Sequence, residues 1–135
     1  MAANTTPIFP VVGKIAWAVL TTANTAKDGT GTVGTVFTAG TNGGRIEKLK
    51  VRQMGTNVAT VLRVFLNNGS TNATAANNIM YSEITLPLST LSETVAQADF
   101  EVFINVSLPV GYTVLITLGT TVAGGIAVAG IGGDY

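Results

Sequence analysis

The side chains that most enzymes use for acid–base and nucleophilic chemistry are scarce in this chain. Its 135 residues include no histidine and no cysteine, and only seven acidic and seven basic side chains. Histidine is the commonest general base, and cysteine and histidine supply most thiol nucleophiles and zinc ligands. We therefore predict that the protein is not an enzyme and that it has no catalytic residues, no metal site and no cofactor.

Two patterns imitate functional motifs. Asp99 and Glu101 lie two positions apart in a strand-like segment and so share a face, as the carboxylate pair of a glycosidase would. Few other polar groups could orient them, and we interpret them as solvated acids. Gly29, Gly31 and Gly34 match the glycine spacing of nucleotide-binding loops. No helix follows them, so we predict an ordinary loop.

The only electrostatic feature is a cluster of basic residues. Arg45, Lys48, Lys50 and Arg52 lie close together, with Arg63 on the next predicted strand. A spacing of two puts Lys48, Lys50 and Arg52 on one strand face, where they could dock against an acidic protein surface. The alternative is a solvated strand face whose lysines discourage edge pairing. Aromatic residues for base stacking are missing from this run, so we do not predict nucleic-acid binding.

Hydrophobic alternation with a period of two runs through the whole chain, with clusters of Gly, Asn, Thr and Ser between the runs. This pattern predicts an all-β protein, an antiparallel β-sandwich of about eight strands, with a jelly-roll or related Greek-key order. Residues Ser89 to Ala98 are the one segment that could form a short helix. The predicted strands cover 14–20, 33–38, 45–54, 57–66, 79–86, 100–108, 112–118 and 126–131.

The length is that of one domain, and we divide the chain into an extended N-terminal arm, residues 1–13, and a single β-sandwich domain, residues 14–135. Pro7 and Pro10 flank Phe9 in this arm, which could lie on a neighbouring subunit or fold back as an edge strand. The apolar residues that it carries are Ile8, Phe9, Val11 and Val12. Within the domain, we expect the core to contain the aromatic side chains of Trp17, Phe37, Phe65, Phe100 and Phe103. For Phe103, which lies on the face opposite Phe100, the alternative is that it covers a second surface.

Neither a membrane nor a charged polymer is predicted as a partner. The net charge is zero, so no long-range attraction favours nucleic acid or an anionic membrane. The uncharged segment from Val102 to Gly133 is long enough for a spanning helix, but its bulky residues alternate and glycine interrupts it. The N-terminus has no secretory signal pattern, so we expect synthesis in the cytoplasm.

The stretch Trp17 to Phe37, continuing through Glu47, resembles small structural virion proteins of tailed bacteriophages, and so does the ending Ile131 to Tyr135. The resemblance implies a capsid decoration (cement) protein on the virion surface, whose partner is the major capsid protein. It also implies a homo-oligomer, with a trimer favoured, and it brings no catalytic residues. A neck or tail component of the virion is the alternative placement.

A carbohydrate-binding or adhesion module is the second hypothesis, because β-sandwiches often present sugar sites. Such a site needs exposed aromatic side chains beside polar groups. The aromatic residues that could serve are Trp17, Tyr81, Tyr112 and Tyr135.

Overall fold

A computed structural model describes residues 9–135 as two packed β-sheets. The predicted arm residues 1–8, Ile8 among them, lie outside the described part of the chain. The predicted number of strands is confirmed, and most predicted ends lie within one or two residues of the observed ones. The strands are β1 (Val12–Leu20), β2 (Gly34–Thr38), β3 (Gly44–Gln53), β4 (Thr60–Asn67), β5 (Asn78–Leu86), β6 (Asp99–Leu108), β7 (Thr113–Leu118) and β8 (Ile126–Asp134).

Each sheet contains four antiparallel strands. Sheet A has the order β1-β8-β3-β6, and sheet B has the order β2-β7-β4-β5. Only β4 and β5 are consecutive in the sequence and also adjacent in a sheet, so every other connection crosses from one sheet to the other. The predicted antiparallel β-sandwich is therefore confirmed, and the strand order is compatible with its jelly-roll form.

The core is formed by the inward rows of the two sheets, as the alternation predicts. In β3, Ile46, Leu49 and Val51 are fully buried, and a register shift beside Glu47 keeps both Ile46 and Leu49 on the inner face. Sheet B contributes Leu62, Val64, Val114, Ile116 and Leu118 to the same cluster.

The two sheets approach each other most closely where β1 and β8 lie over β2. A Cβ atom on Gly130 of β8 would overlap the backbone oxygen of Val36 in β2, and one on Gly34 would lie 3.2 Å from the Cβ of Ala18. Only small side chains fit between the sheets here, so β1 turns its alanines inward. Its larger side chains therefore point outward, and the prediction that Trp17 belongs to the core is wrong.

The outer face of sheet B is covered by the chain's own loops. Phe65 and Leu115 point away from the central core, yet both are buried. The loop between β1 and β2 and the loop between β4 and β5 lie over them, and the loops are joined through asparagine side chains. The amide of Asn72 donates hydrogen bonds to the backbone oxygens of Gly29 (3.1 Å) and Gly31 (2.8 Å).

The segment predicted as a possible helix, Ser89 to Ala98, is a loop, so that prediction is wrong. Ser89 forms an isolated antiparallel bridge with Asn57, with two backbone hydrogen bonds of 3.1 Å, which fixes the start of the loop as extended chain. Within residues 9–135 the only helix is a three-residue 3-10 turn, Ala75–Asn77, and no helix there is long and apolar enough to cross a membrane.

Candidate docking surface

The outer face of sheet A is the one broad sheet face that the described residues leave uncovered, and we call it the open face. The strand registers place one residue from each strand in transverse rows: Trp17, Ala129, Lys50 and Glu101 form the middle row. The rows on either side of it are Ile15, Ile131, Lys48 and Phe103, and Val19, Ala127, Arg52 and Asp99.

One half of the open face is apolar. Ile15, Trp17 and Val19, which we call the β1 stripe, are 61%, 72% and 52% exposed. Next to the stripe, β8 presents the small side chains of Ala127 and Ala129, so the indole of Trp17 protrudes beyond its neighbours on β8. A solvent-exposed row of large apolar side chains on one strand is typical of a contact surface for another protein.

The other half of the open face holds Lys48, Lys50 and Arg52 of the predicted basic cluster, which we call the basic ridge, and these three cations are paired. Lys48 lies 3.0 Å from Glu101, and Arg52 lies 2.9 Å from Asp99. The ammonium of Lys48 also lies 5.9 Å from the ring centroid of Phe103. The ridge is therefore a ladder of exposed ion pairs, which attracts an acidic surface more weakly than three unpaired cations would.

Arg45 and Arg63, the other two residues of the predicted basic cluster, are not part of the ion-pair ladder. Arg45 lies on the open face in line with the ridge, where its register partners are Ser107 and Gly133. Because β3 is an interior strand, the interpretation that its lysines protect a sheet edge is wrong. Arg63 belongs to sheet B, where it is largely buried and bonds Glu83 at 3.1 Å.

Two residues of the predicted arm extend the apolar half of the open face. Phe9 is 70% exposed and Val11 is 79% exposed, immediately before β1. The backbone N–H of Val11 donates to the backbone oxygen of Asp134 at 2.8 Å, so this part of the arm runs on beside β8. The predicted contact residues Phe9, Val11, Lys48, Lys50 and Arg52 thus border one continuous surface.

The inner side of β1 holds an ion pair at the end of the sandwich. The ammonium of Lys14 lies 2.5 Å from the carboxylate of Asp134, 2.6 Å from the backbone oxygen of Thr38 and 5.5 Å from the ring centroid of Phe37. Burial raises the pKa of Asp134, but hydrogen bonds from Lys14 and from the Gly40 N–H, together with the charge of Lys14, outweigh burial and lower that pKa below 3.8. The pair ties β1 to the chain end.

The two patterns that imitate functional motifs make other contacts in the structure. Asp99 and Glu101 share a face, but both are engaged by the cations opposite them. Residues 9–135 contain no cluster of three acidic side chains that could hold a metal ion. In the glycine loop, the backbone oxygens of Gly29 and Gly31 are bonded by Asn72, so the loop is used to cover sheet B.

The aromatic side chains proposed for a sugar site are mostly engaged elsewhere. The Tyr81 hydroxyl donates to the backbone oxygen of Ile104 at 3.1 Å and links the two sheets. The Tyr135 hydroxyl lies 2.6 Å from that of Ser107, and Tyr112 packs against the core. Trp17, at 72%, is the most exposed member of the set.

Comparison of this chain with protein-family models, with curated proteins and with solved structures finds no match.

Proposed function

We propose that this chain is a structural virion protein of a tailed bacteriophage, which oligomerises and docks on the capsid surface to decorate and stabilise the head. The proposal includes the absence of catalytic activity. The observation that carries it is the asymmetry of the sandwich: loops cover the outer face of sheet B, whereas the outer face of sheet A exposes the β1 stripe and the ion-pair ladder.

The residues of the open face are of the kinds found at contact surfaces between proteins. Contact surfaces between proteins combine aromatic and aliphatic anchors with a polar, solvated rim. Trp17 and Ile15 supply the anchors, and the ladder of Lys48 and Glu101 supplies polar groups that pair with each other when no partner is present. The partner of this proposal is the major capsid protein of the same virion.

An oligomer would make weak contacts effective. Each later contact of a multivalent protein with a symmetric lattice is intramolecular, so overall binding can exceed the single-site affinity by about 10² to 10⁴. The sequence resemblance favours a homotrimer. Placement on the neck or tail is the alternative within the same proposal.

The experiment uses particles from a phage whose gene for this chain has been deleted. Purified protein is added back, and the temperature of DNA release from the heads is measured. We expect the wild-type protein to co-sediment with the heads and to raise the release temperature, and Trp17→Ser to lose both effects. The matched control is Val110→Ser, a similarly exposed apolar residue in the turn between β6 and β7. Heads that neither bind nor respond to the wild-type protein would contradict the capsid placement.

A carbohydrate-binding module is the second candidate, and the exposure of Trp17 favours it. An exposed indole in the same transverse row as the polar side chains of Lys50 and Glu101, with Ala129 between Trp17 and Lys50, has the components of a sugar-stacking platform. Glycan-array binding that Trp17→Ser abolishes and Val110→Ser leaves intact would support this function. An array without any signal would remove it.

A further inference from the structure

We propose that β1 pairs edge to edge with β1 of a second copy of this chain. The pairing joins two copies of sheet A into one sheet around a two-fold axis. The open faces of the two copies then form a single continuous surface with the two β1 stripes at its centre. This inference rests on the strand geometry and does not depend on the virion role.

The edges of the sandwich differ in how well they are protected against pairing. Native sheets block their edges with short strands, bulges, charges and proline. Strand β2 has five residues and a register shift, and β5 has a register shift and carries Glu83. Strand β6 has a register shift, Asn105 in the left-handed region at φ 52° and the charged residues Asp99 and Glu101.

Strand β1 has none of these protections. Its nine residues pair with β8 without a register shift, and it contains no proline. Its single charged residue, Lys14, is held on the inner side by Asp134. Within residues 9–135, no strand other than β8 pairs with β1. Alternate backbone N–H and C=O groups of β1 therefore remain available for a second strand.

The sequence of β1 is complementary to itself when two copies run antiparallel with Ala16 opposite the partner's Ala16. In that register Val12 faces the partner's Leu20, so the full length of the strand is used. Ile15 then lies opposite the partner's Trp17, an aromatic and β-branched pair of the kind that stabilises antiparallel strands. Val19 lies opposite the partner's Gly13, which leaves room for it, and the two Lys14 side chains are not opposed.

Exposed apolar side chains flank the free edge of β1. Six large ones in and just before β1 are at least half exposed. At 150–250 Å² for an aromatic side chain, Phe9 and Trp17 alone expose roughly 300 Å² per copy, against the ~800 Å² that each partner buries in a standard interface. Zero net charge permits the close approach. The six are Phe9, Val11, Val12, Ile15, Trp17 and Val19.

The test uses Trp17 as an internal probe, because it is the only tryptophan in the chain. The molar mass of the full-length protein is measured by light scattering over a dilution series, and tryptophan emission is recorded on the same samples. We expect twice the 13.8 kDa of one chain at high concentration and the single mass after dilution. The emission maximum should move to longer wavelength as dilution exposes the indole.

Two variants, one expected to weaken the association and one control, are compared with the wild type. Ile15→Lys places a charge on the exposed row of β1 and keeps Trp17, and we expect it to weaken association at least about tenfold. Val110→Lys adds the same charge at a site that is 60% exposed, in the turn between β6 and β7 and outside the β1 edge, and should associate as the wild type does. Circular dichroism checks that both variants are folded, and Val19→Lys replaces Ile15→Lys if that variant is not.

Three results would overturn the inference: a monomer throughout the series, the three-fold mass that the sequence resemblance implies, or a dimer that Ile15→Lys does not weaken. Co-sedimentation with the phage heads tests the docking step of the virion proposal separately. A monomer that still co-sediments would refute the β1 pairing and the proposed oligomerisation, but not docking on the head.

Discussion

Replacement of Gly130 by alanine tests the close contact between the two sheets. A Cβ at this position would overlap the backbone oxygen of Val36 and approach its carbonyl carbon to 3.0 Å. Ordinary contacts of this kind are longer than 3.4 Å, and the obstacle is backbone, which cannot turn aside as a side chain can. The sheets must move apart locally, so we expect Gly130→Ala to lower the free energy of unfolding by about 3 kcal/mol, the upper end of the range for an oversized side chain in a packed core. For a domain of this size, that loss lowers Tm by roughly 10 °C.

The assay is urea unfolding followed by far-ultraviolet circular dichroism, with Gly13→Ala as the matched control in the same sheet. A Cβ on Gly13 meets no atom within 4 Å. The control should therefore change the free energy of unfolding by less than about 0.5 kcal/mol, or raise it slightly. Equal stabilities of the two variants would refute the close packing of β8 on β2, and with it our explanation of why the β1 stripe faces outward.

Further predictions concern the ion pair, the buried asparagine and the exposed indole. Asp134→Asn should lower the free energy of unfolding by about 1 kcal/mol at pH 7. Because folding lowers the pKa of Asp134, its stabilising effect is present above the unfolded value of 3.8 and is lost as the pH falls through the lower native pKa. The free energies of unfolding of wild type and variant should therefore converge toward the acid end of a series of urea titrations, and a difference that stays constant through the series would contradict the pairing with Lys14. The buried side chain of Asn57 bonds the Gly125 oxygen (3.0 Å) and the Gly124 N–H (2.6 Å), and Asn57→Ala removes both bonds. The variant should lower the free energy of unfolding by about 2 kcal/mol in the same titration, whereas an unchanged value would mean that water replaces both bonds. Trp17→Ser should change monomer stability by less than about 1 kcal/mol, against the 3 to 5 kcal/mol of a core tryptophan.

The fold class could be predicted from the sequence because apolar and polar residues alternate with a period of two in the strands. Alternation does not say which of two apolar faces is buried. In β1 the row with Trp17 is larger than the row with Ala16 and Ala18, and size alone suggested the wrong face. Gly130 and Gly34 are the local signal for the correct one, because they leave room only for alanine.

The charges of the candidate surface were harder to anticipate. The spacing of Lys48, Lys50 and Arg52 fixed their common face, but the acids opposite them belong to β6, about fifty residues away in the chain. Which strand lies beside β3 is decided by the crossover order of the sandwich. Sequence reasoning could not supply that order, so the ion-pair ladder and the interior position of β3 emerged only from the structure.

A cryo-electron microscopy reconstruction of the phage particle that carries this chain tests the central claim most directly. Our account predicts density for the sandwich on the head, with the strands of sheet A toward the capsid shell and the loops over sheet B toward solvent. A particle without this density, or one in which the loops of sheet B meet the shell while Trp17 remains in solvent, would contradict it.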